Sequence, residues 1–137
     1  MNANTINEMR VHIETAVVDK GCLDIIWDVA PTEVDGSIFC TAMIRDGGKT
    51  VIGTCGNAYD FEEVGTIDLV AYKKRGEGDF DLRTAVDEIE YFLRNSRTAN
   101  IRFDDISQDV PLEAEQSDFA MFLQVAFRAY TSELINK

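Results

Sequence analysis

Phe119-Ala120-Met121-Phe122-Leu123-Gln124-Val125-Ala126-Phe127-Arg128-Ala129-Tyr130-Thr131 fits two incompatible templates, and the fold turns on which one it takes. At a period of two, Phe119, Met121, Leu123, Val125, Phe127 and Ala129 share one face, with Gln124 and Arg128 on the other. At a period of 3.6, Phe119, Phe122, Leu123, Ala126, Phe127, Tyr130 and Leu134 form an equally continuous stripe. Periodicity does not separate the two. Length favours the helix, since strands usually run to about 5 or 6 residues.

The segments before it are easier. Thr5 and Glu8 have the spacing of a capping box, in which each side chain satisfies an orphan backbone donor at the helix start. Ile6, Met9, Ile13, Ala16 and Val17 then recur at helical spacing, and Gly21 offers a left-handed stop. His12 falls off that stripe and is expected to be solvated. Leu23 to Val29 is β-prone, contains Trp27 and is closed by Pro31; Asp35-Gly36 makes a turn. Ile38 to Ile44 suits an inner strand, and Asp46-Gly47-Gly48 signals a hairpin returning through Thr50 to Cys55. The polar stretch Gly56 to Glu63 suits a loop, and Val64 to Lys73 alternates as a strand. A second helix runs from Asp81 to Leu93, capped by Asp79 or Asp81, with Leu82, Ala85, Val86, Ile89 and Leu93 inward. Ile101 to Ile106 suits a strand and Asp109 to Gln116 a loop. The pattern describes a single domain over residues 1–137 of α+β class, with a mainly antiparallel sheet and two helices packed on one face.

The charge balance, 25 acids against 13 bases for a net of -12, argues against a protein that grips nucleic acid. Lys73-Lys74-Arg75, followed by Gly76 and Gly78, is the only basic cluster and suits an exposed turn. Cys22, Cys40 and Cys55 are odd in number, widely spaced and set in strand-like segments, so buried thiols are expected and a disulfide framework is not. No run of about 18 apolar residues predicts a membrane span.

Catalytic patterns are missing. The single histidine lies on the polar side of a helix, and no serine or cysteine has a nucleophile-elbow setting. Gly47-Gly48-Lys49-Thr50 has the ending of a phosphate-binding loop but lacks its upstream glycine and its strand-to-helix setting. Glu62-Glu63, Asp87-Glu88 and Asp104-Asp105 are paired carboxylates in an acid-rich chain, and Asp104, Asp105 and Asp109 do not follow a calcium-loop spacing. No catalytic, cofactor-binding or metal-ligating residue is assigned, and no enzymatic activity is expected. Tyr59, Phe61, Tyr72, Phe80, Tyr91 and Phe92 are candidates for core positions, with a few left for an interface.

Taken in order, these segments resemble the tail terminator family of long-tailed bacteriophages over nearly the whole chain. The resemblance rests on the helix from Thr5 to Lys20, the short strand with Trp27 and Pro31, and the hairpin from Ser37 to Cys55. It is strongest at Val64-Gly65-Thr66-Ile67-Asp68-Leu69-Val70-Ala71-Tyr72 and the helix after it. Asn100-Ile101-Arg102-Phe103 and Phe119 to Arg128 resemble the family's last two strands, which favours strand in the ambiguous segment. Two departures are a long acidic loop at Asp104 to Asp118 and a tail, Ser132 to Lys137, beyond the last strand.

The resemblance implies a homohexameric ring in the virion that caps the tail tube, ends its polymerisation and joins the neck and capsid. Partners would be the tail tube protein, a neck or head-completion protein and, in a contractile tail, the sheath. DNA would pass through the lumen unbound. Another ring protein of the neck or tail, or a small cytosolic binding module, is the alternative.

Overall fold

The computed structural model describes residues 1–27, 38–74, 80–108, 112–114 and 118–134. In chain order the elements are α1 (Ala3–Glu14) with a π-helical extension (Thr15–Lys20), β1 (Asp24–Trp27), β2 (Ile38–Cys55), β3 (Ala58–Lys74), α2 (Phe80–Arg94), β4 (Ile101–Gln108), β5 (Leu112–Ala114) and β6 (Asp118–Leu134). The sheet order is β1-β2-β3-β6-β4, with β5 also on β6. Among the described residues only β1 and β2 pair in parallel, and the other pairings are antiparallel. The architecture is α+β, with both helices against one face of the sheet and a long closing strand.

The ambiguous segment is a strand. β6 lies between β3 and β4, and β3 pairs it from Lys74↔Asp118 to Ala58↔Leu134. Met121, Leu123, Val125, Phe127 and Ala129 are buried beneath the helices. The mixed opposite face is explained by its neighbours. Gln124 Nε2 donates to Asp68 Oδ1 at 3.1 Å, and Arg128 Nε donates to Asp104 Oδ2 at 2.8 Å. A period-two pattern with polar partners in register on both flanking strands outweighs the length prior. The strand also continues through Leu134, so Ser132 to Leu134 belong to β6 rather than to a tail; residues 135–137 lie outside the described residues.

The expected hairpin at Asp46-Gly47-Gly48 does not form. The chain runs through it as one 18-residue strand, with register shifts between Asp46 and Gly48 and again between Val51 and Gly53. The turn comes at Gly56-Asn57, where Gly56 takes φ 63 and Cys55 pairs with Ala58. Gly56 to Glu63, expected as a loop, is therefore mostly the start of β3. The acidic region beyond Asp104 is likewise structured in part, since β4 reaches Gln108 and β5 pairs Leu112–Ala114 with Asp118–Ala120. Residues 109–111 and 115–117, with Pro31, Asp35-Gly36, Asp79 and the 75–79 turn, lie outside the described residues.

Helix α1 starts earlier than the Thr5–Glu8 pattern implies. Asn2 is the N-cap: its Oδ1 accepts from Thr5 N at 2.8 Å and from Thr5 Oγ1 at 2.9 Å. Gly21 ends the π-helical extension with φ -87, and the positive φ falls on Cys22 instead (φ 56). What Gly21 supplies is room, because a Cβ there would lie 2.8 Å from Ile89 of α2. The core joins Met9, Ile13, Ala16 and Val17 to Leu82, Val86, Ile89 and Leu93, over Cys40, Ala42, Ile67 and Leu69 of the sheet. Each fully buried Leu, Ile or Phe there is worth roughly 1.5–3 kcal/mol. β1 is tied to α1 by Trp27, whose Nε1 donates to Glu14 Oε1 at 2.9 Å under the Arg10 guanidinium.

Candidate functional site

Chemistry that sequence patterns left open does not converge in space. Glu62 and Glu63 are neighbours on a strand and therefore face opposite sides. Glu63 is buried against the Met1 amino group at 3.1 Å, and Glu62 lies 3.8 Å from Arg128. Asp104 is held by Arg128 and Arg102, Asp87 accepts from Gln108, and Asp109 lies outside the described residues. Lys49, from the segment resembling a phosphate loop, sits inside β2 and pairs with Glu133 at 2.5 Å over the Phe61 ring. Among the described residues no group of three or more His, Cys, Asp or Glu side chains is placed to hold a metal. Among the same residues no helix is long and apolar enough to cross a membrane.

The cysteines divide. Cys40 is buried under the helices, and that burial pushes its thiol up to about 12 despite a hydrogen bond with the Val70 backbone. Cys22 is exposed at the end of the α1 extension, against expectation, where its backbone takes a left-handed φ of 56. The side chain of Cys55 lies outside the described set.

His12 is also not where its helical position suggests. It is stacked between Phe92 (ring centroids 5.1 Å apart) and Phe103 (5.2 Å), at the junction of α1 with α2 and β4. Ser96 Oγ gives its proton to Phe92 O at 2.5 Å, so it accepts from His12 Nε2 at 2.9 Å, which fixes the proton on Nε2. Burial lowers the His12 pKa, with partial opposition from Glu8. Glu8, expected to close a capping box, reaches instead across to the segment before β4. It accepts from Thr98 Oγ1, from Asn100 N at 3.2 Å and from Asn100 Nδ2 at 3.0 Å. Burial works to raise the Glu8 pKa, but these hydrogen bonds and the nearby His12 outweigh it and hold the carboxyl below its ordinary value. The i,i+4 spacing of Glu8 and His12 on the flank of a buried stripe was the available signal for this pair.

Two surfaces are left for partners. The first is the far half of the sheet. β1 covers β2 only at Phe39–Ala42, so from Met43 to Cys55 the outer edge of β2 has no strand beside it among the described residues. Val51 and Ile52 on that stretch are 51% and 54% exposed. Register shifts at Gly47 and at Ile52 break the edge twice, which discourages indiscriminate strand pairing. The second is a corner between the start of α1 and the hairpin end of the sheet. The N-cap Asn2 and Asn4, Thr5 and Glu8 of α1 face Ile52, Asp60, Phe61, Tyr130, Thr131 and Ser132 around a cleft of about 590 Å³. Thr131 Oγ1 is shut off from solvent there with no hydrogen-bond partner. Asp60 Oδ1 accepts from Ser132 Oγ at 2.6 Å. Sequence pattern missed this corner because its residues come from α1, β2, β3 and β6, and none has a motif.

No family model matches the sequence, and no curated protein matches it. One of the solved structures that the chain resembles, designated only by a sequence identifier, superposes with a TM-score of 0.55 at 13% identity. The match covers 90% of this chain and 94% of that one. At that identity the likeness concerns the fold alone.

Proposed function

We propose that the protein is a structural component of a long-tailed phage virion, a tail terminator that closes into a ring on the end of the tail tube. The ring stops tube growth, offers the surface that the neck joins, and lets DNA through its lumen. The observation that carries this reading is the order and length of the elements. A helix, a short strand, a long hairpin, an amphipathic helix and a closing strand follow one another as in the tail terminator family, and the 17-residue β6 runs through the sheet.

Two physical features support it. A sheet with an unpaired β2 edge and a helix-free face gives one subunit different surfaces at its two sides, which suits head-to-tail contacts that close into a ring. A net charge of -12 gives walls that repel phosphate, as a DNA conduit requires.

The test adds purified protein to polymerising tail tube protein and measures tube lengths by electron microscopy. Tubes that stop growing and carry a ring at one end are expected. Uncapped tubes with an unchanged length distribution would reject the reading.

A further inference from the structure

We infer that the cavity where the end of α2 meets the start of β4 is a binding site for a phosphate group, either free or carried by a small phosphorylated molecule. The site is complete within one chain, so it stands whether or not the ring forms.

The cavity, about 350 Å³, is lined by Arg94, Asn95, Ser96, Arg97, Arg102 and Phe103. That volume falls within the roughly 300–1,000 Å³ of sites that enclose a small molecule. Three arginines line it and no carboxylate does, a local reversal of sign in a chain of net charge -12. The cluster is not a run in the sequence. Arg94 ends α2, Arg97 lies in the connection after it, and Arg102 is the second residue of β4. Like charges brought to one spot repel, and an anion between them removes the repulsion.

Neighbouring carboxylates do so only in part. Glu90 takes Nη2 of Arg94 at 2.8 Å from one helical turn away. Asp104 lies 3.3 Å from Arg102 Nε but is shared with Arg128 Nε at 2.8 Å. Among the described residues Arg97 pairs with no carboxylate. The other polar groups of the lining are spent within the fold. Asn95 Nδ2 donates to Tyr91 O at 2.8 Å, and the Ser96 hydroxyl is engaged by Phe92 O and His12. Recognition therefore falls to guanidinium forks, which match oxyanions. A carboxylate has two oxygens in one plane. A phosphate directs its oxygens tetrahedrally, so forks arriving from α2, from the connection and from β4 can each meet one. A phosphate monoester also carries about 1.5–2 negative charges near neutral pH, against one for a carboxylate. Phe103 gives the cavity an apolar wall for the body of an ester.

His12 reports on the site. Its Nε2 donates to Ser96 Oγ at 2.9 Å and its ring stacks on Phe103 at 5.2 Å, and both of those residues line the cavity. The chain has one histidine, so its ring-proton signals stand alone in a nuclear magnetic resonance spectrum. Inorganic phosphate is titrated at fixed neutral pH, with chloride replaced so that ionic strength stays constant. The His12 signals are expected to move and to saturate at millimolar phosphate. Arg97→Gln and Arg102→Gln are each expected to weaken binding at least about tenfold, and Arg97→Lys, which keeps the charge and loses the fork, by less than Arg97→Gln. Arg83→Gln, roughly 16 Å back along α2, is expected to bind like the wild type. Circular dichroism checks that each variant folds. A nucleoside monophosphate titrated in the same way separates the two sources: tighter binding than phosphate assigns the site to an ester, equal binding to free phosphate.

His12 signals that follow ionic strength alone, or that never saturate, overturn the inference. So does full binding by Arg97→Gln and Arg102→Gln, or acetate binding as tightly as phosphate. Signals that move with protein concentration and not with phosphate would assign the arginines to the acid-rich surface of a second copy and overturn it too.

Discussion

His12 is held as a neutral imidazole by its surroundings: two phenyl rings, and a serine hydroxyl that accepts the Nε2 proton. Protonating Nδ1 places a cation where burial disfavours it, which is why its pKa lies below the ordinary 6.5. The unfolded chain then takes up a proton near pH 6.5 that the folded chain refuses until lower pH. Stability from this source is complete above about pH 6.5 and declines as the pH falls towards the lowered value. His12→Phe keeps the stacking and removes the proton, so its urea midpoint should change less than that of the wild type between pH 7 and pH 5. Equal slopes for the two proteins would exclude His12 as the source. Gly65 shows a harder constraint of the same local kind. A Cβ there would stand 2.3 Å from Arg45 O and 2.7 Å from Phe127 Cζ. The bare Cα lets the Phe127 ring lie against β3 beside it. Gly65→Ala is expected to lose more than about 2 kcal/mol in denaturant melts, since one of the offending atoms is backbone and a packed ring supplies the others.

At the scale of elements, the same physics explains what the sequence disclosed and what it hid. Helix α2 was legible because its five apolar positions all turn to the core, and the outer positions Arg83, Asp87 and Arg94 are exposed or paired on the surface. β6 was not legible from pattern, because its apolar residues satisfy both periods; only the partners Asp68, Asp104 and Glu62 on neighbouring strands distinguish them. Asp46-Gly47-Gly48 misled because glycine that permits a turn also permits a bulge, and continued pairing of Lys49 with Glu63 favours the bulge. His12 and Glu8 were hidden because their partners, from Phe92 to Phe103, are distant in sequence. The resulting sheet is uneven in stability. Among the described residues β6 has neighbours on both sides, whereas the Met43–Cys55 stretch of β2 has one. In the monomer, amide hydrogens at the centre of β6 should exchange at rates set by global unfolding, and the outward-pointing amides of β2 should exchange orders of magnitude faster. Comparable protection of the two strands in a demonstrably monomeric sample would contradict the edge assignment.

For the whole molecule, charge and apolar surface act on association in opposite directions. The net charge of -12 repels copies over long range, while Val51 and Ile52 on the β2 edge stay half exposed and gain by being covered. Salt acts mainly on the first. Raising ionic strength from about 0.01 M to 0.1 M shortens the screening length from about 30 Å to about 10 Å, which removes most of the repulsion between subunit bodies. Contact along the apolar edge is not weakened by that change. Association in the proposed ring should therefore strengthen as salt rises and then level off, measured as the weight-average mass by sedimentation across a salt series. Val51→Lys with Ile52→Lys removes the apolar contact while lowering the net negative charge, so it should associate more weakly than the wild type at high salt. A wild type whose mass falls as salt rises would mean that attraction between opposite charges, and not the β2 edge, holds copies together.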